Sequence, residues 1–321
     1  KAHEKSENVV TQMGNQGHAG TGWRMAYEYV KAGALGEIKD FHSWTNRPGW
    51  PQGGDRPDWT DPVPETLDWD AWIGSAPMRP YAGPREGSRR GRGPYHPFTW
   101  RGVVDFGCGA LGDMACHITD GIYGIMEPSF ASTAEPIVIT DAVEEQWPGG
   151  MVVKCTFRAK GSWPEFATYW YEGRDKEGKP FLPDLPEELK AEGQKLPSNG
   201  NLVIGTTGKL ISSGAYWARP QLLPNSRHKE FGLPPELLER SPGHHAEFFM
   251  ACRGEKPREF SKSNFSYSGP MTANIQLINL CARAGTKLEL NDAGRVTNDP
   301  AVNDLAWREP REGWGPMELK I

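Results

Sequence analysis

The stretch DFGCGALGDMACHITD, residues 105–120, contains two patterns that could support chemistry. Its glycines at positions 107, 109 and 112 match the G-x-G-x-x-G fingerprint, in which a strand leads into a tight turn and the following helix N-terminus holds a pyrophosphate. Asp113 and His117 lie four residues apart. On a helix they would share one face, where a carboxylate can orient an imidazole. The two patterns predict different uses of the same segment.

The glycine pattern lacks the context that a dinucleotide site needs. Only Val103 and Val104 precede the glycines as β-branched residues, and no strand that ends in an acidic residue follows at about 20 positions. A second cluster, MGNQGHAGTGWRM, has Met25 where the fingerprint requires a small residue. We therefore expect that this chain, by itself, does not bind NAD or NADP.

The first 34 residues resemble the end of an α/β unit. A polar helix end is followed by the strand-like VVTQM (residues 9–13) and an amphipathic helix from Trp23 to Lys31, so residues 1–34 are interpreted as a remnant of a nucleotide-binding domain. The alternating EIKDFHSWT (residues 37–45) predicts a strand. A Pro-, Gly- and Trp-rich segment then runs from Asn46 to Gly102, a length that favours a functional role.

The remainder of the chain is rich in predicted strands whose connections resemble hairpins. NLVIGTTGKLISS is the clearest of them, and the last long helix ends at Gly285, a typical C-cap residue. We predict an α+β fold for residues 35–321: a large open, predominantly antiparallel sheet flanked by helices. The aromatic TYWYE (residues 168–172) predicts that the open sheet face buries against another copy, giving a homodimer or homotetramer.

Composition excludes several classes of protein. With 321 residues, of which 37% are hydrophobic, the chain can form a sizeable core. A net charge of -5 argues against nucleic acid or an anionic membrane as partner. Five scattered cysteines favour free thiols, and the adjacent His244 and His245 point in different directions on a helix, so no metal site is expected. No apolar run approaches about 18 residues, so we expect a soluble protein of unknown compartment, cytoplasmic or periplasmic.

Longer motifs resemble those of the Gfo/Idh/MocA family of sugar oxidoreductases. They are TQMGNQGH (11–18), WTNRPGWPQG (44–53), LDWDAWIG (67–74), PFTWRG leading into the stretch at 105–120, and the segment at 263–291. The resemblance implies a Rossmann domain that binds NAD or NADP, followed by a substrate domain with a large open sheet. The family's fingerprint and its E-K-P motif, whose Lys is a catalytic partner, belong upstream of TQMGNQGH and have no match here.

The resemblance also implies roles for individual residues. Asp113 and His117 correspond to the family's D-x-x-x-H catalytic pair, in which an oriented His can take a hydroxyl proton while hydride leaves the same carbon. Asn15 and His18 lie where family members approach the nicotinamide. Side chains suited to stacking on a sugar or to hydrogen bonding with it are Asn46, Arg47, Trp50, Tyr95, Trp100 and Arg101. Packing of a Pro-rich loop is the alternative role for this last group.

Three functions remain open from the sequence. The first is a sugar or polyol oxidoreductase that transfers hydride between a carbohydrate hydroxyl and NAD or NADP, with this chain as the substrate and catalytic-helix part. The second is an NAD-dependent glycosidase or lyase that acts through a transient keto-sugar. The third is a carbohydrate-binding module without redox chemistry. A small carbohydrate is the expected partner in all three.

Overall fold

An eight-stranded sheet organises the fold in a computed structural model that describes residues 2–6, 8–141 and 144–315. The strands are β1 (Ile38–Trp44), β2 (Thr133–Ile139), β3 (Gly150–Phe157), β4 (Phe166–Gly173), β5 (Gly200–Gly205), β6 (Lys209–Ser213), β7 (Pro220–Leu223) and β8 (Leu288–Glu289). Their order across the sheet is β7-β6-β5-β1-β4-β3-β2-β8. Every neighbouring pair is antiparallel except β1 and β4. The predicted fold class is confirmed.

Strand β1 is the exception to the predicted pattern of hairpin connections. It lies between β5 and β4, and Phe41 is opposite Val203 of the antiparallel neighbour and Thr168 of the parallel one. Phe41 and Trp44 are fully buried on opposite faces of the sheet. A strand that buries both faces is stable only at the centre of a sheet, and the long crossover from β1 to β4 permits the parallel pairing.

Besides five short 3-10 helices, nine α-helices are found in the described part of the chain. They are α1 (Ala2–Lys5), α2 (Thr21–Lys31), α3 (Trp69–Ile73), α4 (Gly109–Ile118), α5 (Asp120–Met126), α6 (Glu187–Ala191), α7 (Asn225–Phe231), α8 (His244–Cys252) and α9 (Phe265–Ala284). Helix α9 ends as predicted, with Gly285 in the left-handed conformation at φ 66°. Residues of α2, α4, α5 and α9 share one hydrophobic core with the sheet. None of these helices has the length and hydropathy that a membrane crossing requires.

The N-terminal segment departs from its prediction at one element. Residues 9–13 form no strand, because no neighbouring strand offers them backbone partners; the Met13 amide instead donates to the Ser263 carbonyl at 2.9 Å. The helix predicted from Trp23 to Lys31 is confirmed as α2. Its Tyr29 is fully buried in the same core as the sheet. The domain boundary at residue 34 stays a prediction.

The aromatic strand β4 divides its side chains between the two faces of the sheet. Trp170 and Glu172 are 1% and 0% exposed, and Trp170 belongs to the core under the helices. Tyr169 and Tyr171 are half-buried on the other face, where Tyr169 stacks on His42. Alternation along a strand is the reason. Tyr171 packs against the small hydrophobic cluster that contains Trp44 and Leu189, so Tyr169 is the tyrosine of TYWYE that is best placed to contact another copy.

Candidate functional site

Helix α4, which carries Asp113 and His117, buries one of its faces in the main core. Its Leu111, Ala115 and Ile118 are fully buried in the main core. Asp113 and His117 are half-buried on the remainder of the helix surface. The stretch at residues 105–120 thus contains a helix packed on the core, residues 109–118, with Asp113 and His117 at the edge of solvent. The prediction that Asp113 and His117 lie on one helix is confirmed.

Asp113 is held by a cation from the preceding turn. Arg101 Nε donates to Asp113 Oδ1 at 2.9 Å, and both side chains are 29% exposed. The Arg101 guanidinium also lies 5.5 Å from the ring centre of Trp50 and 5.8 Å from that of Trp100. Three of the predicted substrate-binding residues, Trp50, Trp100 and Arg101, therefore lie together, and Arg101 joins them to the Asp113 carboxylate. Trp50 is only 6% exposed, so its ring cannot stack on a sugar, whereas Trp100 and Arg101 are half-buried.

His117 has no hydrogen bond to Asp113. Its Nδ1 is buried and without a partner, and its ring packs edge-on against Tyr216 at 5.2 Å between centroids. The expectation that Asp113 orients the imidazole by direct contact is wrong for this structure, because the guanidinium of Arg101 offers that carboxylate a stronger, charge-assisted bond. Burial lowers the pKa of His117, although the charges of Asp113 and Asp120 oppose the shift. The ring is therefore neutral at neutral pH, the state that a general base requires.

Asn15 and His18 belong to a buried polar network under the end of α4. Asn15 Nδ2 donates to Asp120 Oδ1 at 2.8 Å, and His18 Nδ1 lies 3.0 Å from Asp120 Oδ2. The Tyr267 hydroxyl donates to the same carboxylate at 2.9 Å, and burial raises the pKa of that phenol. Asn15 and His18 are 1% and 3% exposed. Their side chains therefore face the protein interior, and contact with a nicotinamide stays a prediction.

Asp120 is the centre of this network and is not among the site residues predicted from the sequence. It follows His117 by three residues, a spacing that returns to the same side of a helix. That spacing was the available signal. Its partners at residues 15, 18 and 267 could not be inferred, because they come from distant parts of the chain.

Gln52 connects the loop that contains Trp50 to the start of α4 and to Glu172. Gln52 Oε1 accepts from the Ala110 amide at 3.2 Å and from Trp50 Nε1 at 3.1 Å. Its Nε2 donates to Glu172 Oε1 at 3.3 Å, and Trp170 Nε1 donates to Glu172 Oε2 at 2.8 Å. Burial raises the pKa of Glu172 to about 8. A carboxyl group that tends to be protonated thus supports the loop below the helix.

The other predicted substrate-binding residues lie elsewhere. Asn46 and Arg47 line a cavity of about 400 Å³, together with Arg174 and Pro197, and none of the residues around Asp113 lines it. Tyr95 is 5% exposed in an aromatic cluster, with its ring 5.2 Å from that of Trp69. The structure therefore does not bring Asn46, Arg47 and Tyr95 to the site, and their roles in sugar binding stay predictions.

The glycine turn at the start of α4 does not fit a pyrophosphate. A side-chain carbon at Gly107 would lie 2.6 Å from the Arg101 carbonyl oxygen, and one at Gly109 would lie 3.0 Å from Trp147. Protein atoms therefore occupy the positions that side chains at Gly107 and Gly109 would take, so these glycines serve the packing of the protein. No named strand precedes the turn, where Val103 makes only an isolated bridge to Gln146. Among the described residues, no cluster of His, Cys, Asp or Glu could hold a metal ion.

Part of the chain matches the profile of a known protein family. Residues 46–152 match the profile of the Gfo/Idh/MocA oxidoreductase family, C-terminal alpha/beta domain. The matched region includes the Trp50 loop, Arg101 and the whole of α4. The resemblance to this family is thereby confirmed. A search of curated protein sequences gives no match.

Solved structures that are similar to this one have low sequence identity to this chain. An aldose-aldose oxidoreductase from Caulobacter crescentus, complexed with glycerol, is 11% identical with a TM-score of 0.45; 88% of this chain and 64% of that chain are covered. The WlbA dehydrogenase from Bordetella pertussis, in complex with NADH and UDP-GlcNAcA, is 14% identical with a TM-score of 0.47 and the same coverage. The chain thus spans about 64% of the length of these proteins. Likeness at this level carries no argument for a shared activity.

Proposed function

We propose, from the premise that residues 46–152 carry the C-terminal domain of an oxidoreductase family, that this chain is the substrate part of a sugar or polyol oxidoreductase. The reaction would transfer hydride between a carbohydrate hydroxyl and NAD or NADP, with the cofactor held by a nucleotide-binding domain outside the described residues. One observation carries the proposal. A neutral, half-buried His117 lies on the same helix as an Asp113 carboxylate that is paired with Arg101, whose guanidinium lies near the rings of Trp50 and Trp100.

In this proposal each side chain has a distinct task. The neutral imidazole of His117 accepts the proton of the reacting sugar hydroxyl. Asp113 uses Oδ1 for Arg101, and Oδ2 accepts no hydrogen bond within the described residues, so Oδ2 can accept one from a second sugar hydroxyl. Half-buried Trp100 offers an apolar surface beside the Arg101 guanidinium, and buried Trp50 packs near that guanidinium from within the protein. Binding at these groups would place the sugar carbon beside His117.

The chain by itself is expected not to bind the cofactor. In the glycine turn at residues 107–112 the Gly107 and Gly112 amides already donate to the Val103 and Cys108 carbonyls, at 2.9 and 3.0 Å, so they are not available to a phosphate. Calorimetric titration of the 321-residue chain with NAD, NADH, NADP and NADPH should give no stoichiometric binding, whereas a protein in which the chain is joined to a nucleotide-binding domain should bind one of them. Tight binding by the chain alone would contradict this expectation.

The open face of the sheet is proposed to bury against a second copy of the chain. Tyr169 and Tyr171 lie on this face, and Ile137, at the irregularity of β2, is 52% exposed. Sedimentation at micromolar concentration should show a homodimer or homotetramer, and Ile137→Glu should weaken it, since a buried charge is costly. The matched control is Leu233→Glu, because Leu233 is 79% exposed and lies outside the sheet. A monomeric wild-type protein would contradict the proposal.

A further inference from the structure

The cavity of about 400 Å³ that contains Arg47 lies where the parallel strands β1 and β4 end. Its wall is formed by the segment after β1 (residues 45–48), the last residue of β4 with the one that follows it (residues 173–174), and residues 196–198 before β5. Neither Asp113 nor His117 lines it. A cavity of this size can enclose a small molecule.

Two arginines come together in this wall. The Gly173 amide donates to the Arg47 carbonyl at 2.9 Å, so the backbone of Arg47 lies directly beside the residue that precedes Arg174. Both arginines line the cavity. Arg47 is half-buried and Arg174 is exposed. Two cations are therefore placed next to each other at one cavity.

Neither arginine has a carboxylate partner within residues 2–6, 8–141 and 144–315. Arg47 Nη1 donates to Asn46 Oδ1 at 2.6 Å, and Arg174 Nη1 donates to the Gly178 carbonyl at 2.6 Å, so both acceptors are neutral. Nε and Nη2 of Arg47 donate to none of these residues and are not among the buried polar atoms, so they are open to solvent. No Asp or Glu lines the cavity. Its wall therefore carries an excess of positive charge.

Asp141 is a carboxylate at the edge of this region. Its Oδ2 accepts from the Gly149 amide at 3.0 Å, and Gly149 lines the cavity, but Asp141 itself does not. The Thr140 hydroxyl donates to the same oxygen. Asp141 forms no ion pair with Arg47 or Arg174 in the described part of the chain. It therefore does not take the place of an anion between the two guanidinium groups.

We propose that this cavity binds a phosphate monoester with an apolar body. A guanidinium group presents several donors that match the oxygens of a phosphate, and one dianion can balance two arginines. The phosphoryl oxygens accept hydrogen bonds from Arg47 and Arg174, and the apolar body packs against Leu182, Leu196 and Pro197, which also line the cavity. This binding site goes beyond the proposed oxidoreductase function and does not depend on it.

Phenyl phosphate has the required groups and serves as the probe. Calorimetry on the whole chain should show one site for it. Inorganic phosphate, which lacks the apolar body, and phenol, which lacks the charge, should each bind at least about tenfold more weakly. Affinity for phenyl phosphate should rise between about pH 5 and about pH 7, because a phosphate monoester loses its second proton near pH 6 while arginine stays charged.

Substitution of either arginine tests the site directly. Arg47→Met and Arg174→Met should each weaken phenyl phosphate binding about tenfold to a hundredfold, the loss expected for charge-assisted hydrogen bonds. Each side chain bonds only to a nearby neutral group, so the melting temperature should change little. Arg219→Met, at an exposed arginine that does not line the cavity, is the matched control and should bind as the wild type does.

A second measurement uses the wild-type protein alone. Phenylglyoxal modifies accessible arginines, and peptide mass spectrometry gives the rate at each position. Phenyl phosphate should slow the modification of Arg47 and Arg174 and leave the rate at Arg219 unchanged. The proposal is overturned if phenyl phosphate does not bind, if the three probes bind equally, if either Arg47→Met or Arg174→Met binds as tightly as the wild type, or if neither arginine is protected.

Discussion

Replacing His117 by asparagine is expected to reduce sugar turnover by about 10²–10⁴-fold, the usual cost of losing a general base. The rate is to be measured in a protein that joins this chain to a nucleotide-binding domain. Asparagine keeps a polar group at a half-buried position, so the melting temperature and the sugar affinity should change little. Because burial lowers the pKa of His117, wild-type turnover should fall on the acid side only below the ordinary histidine value of 6.5.

Two variants make this test specific. Asp113→Ala should cost less turnover than His117→Asn, because it removes a sugar contact and the partner of Arg101 but leaves the base. The Arg101–Asp113 ion pair is partly exposed, so its loss should change stability by only about 0–1 kcal/mol. His245→Asn, at an exposed helical histidine, should have no effect. Normal turnover by His117→Asn, or a loss explained entirely by unfolding, would mean that the residue is structural.

The second large effect concerns Glu172 and the pH dependence of stability. Its pKa is about 8 in the folded protein and near the ordinary value of 4.5 in the unfolded chain. Between these values the folded state binds the extra proton, so stability falls as the pH rises from about 4.5 through about 8. Glu172→Gln removes this loss. We expect the variant to match the wild type near pH 4.5 and to exceed it by up to about 5 kcal/mol at pH 9.

Urea denaturation across this pH range measures the difference directly. Glutamine can keep an acceptor for Trp170 Nε1, so the packing around the position should be conserved. Glu177→Gln, which removes an exposed carboxylate, is the control and should shift stability little at any pH. If Glu172→Gln is less stable than the wild type at pH 9, then the carboxylate is ionised and stabilising in the folded protein.

Much of the local structure could be predicted from the sequence. Alternating and helical periodicities indicated β1, α2 and α9, and the turn residues between β5 and β6 indicated a hairpin. The same local logic placed Asp113 and His117 on one helix and argued against the glycine fingerprint beside them. These features depend on residues within about two turns of one another, so a short window of sequence contains their cause.

The tertiary structure alone decided which side chains meet. Asp113 pairs with Arg101 instead of His117, and Asp120 collects Asn15, His18 and Tyr267 from three separate segments. Asn46 and Arg47 line a cavity of their own, although they lie close in sequence to Trp50. Periodicity shows which face of an element is buried but not which partner covers it. The choice of partner depends on how the elements cross in space. Each carboxylate then pairs with the strongest cation or hydrogen-bond donor that lies near it at that crossing.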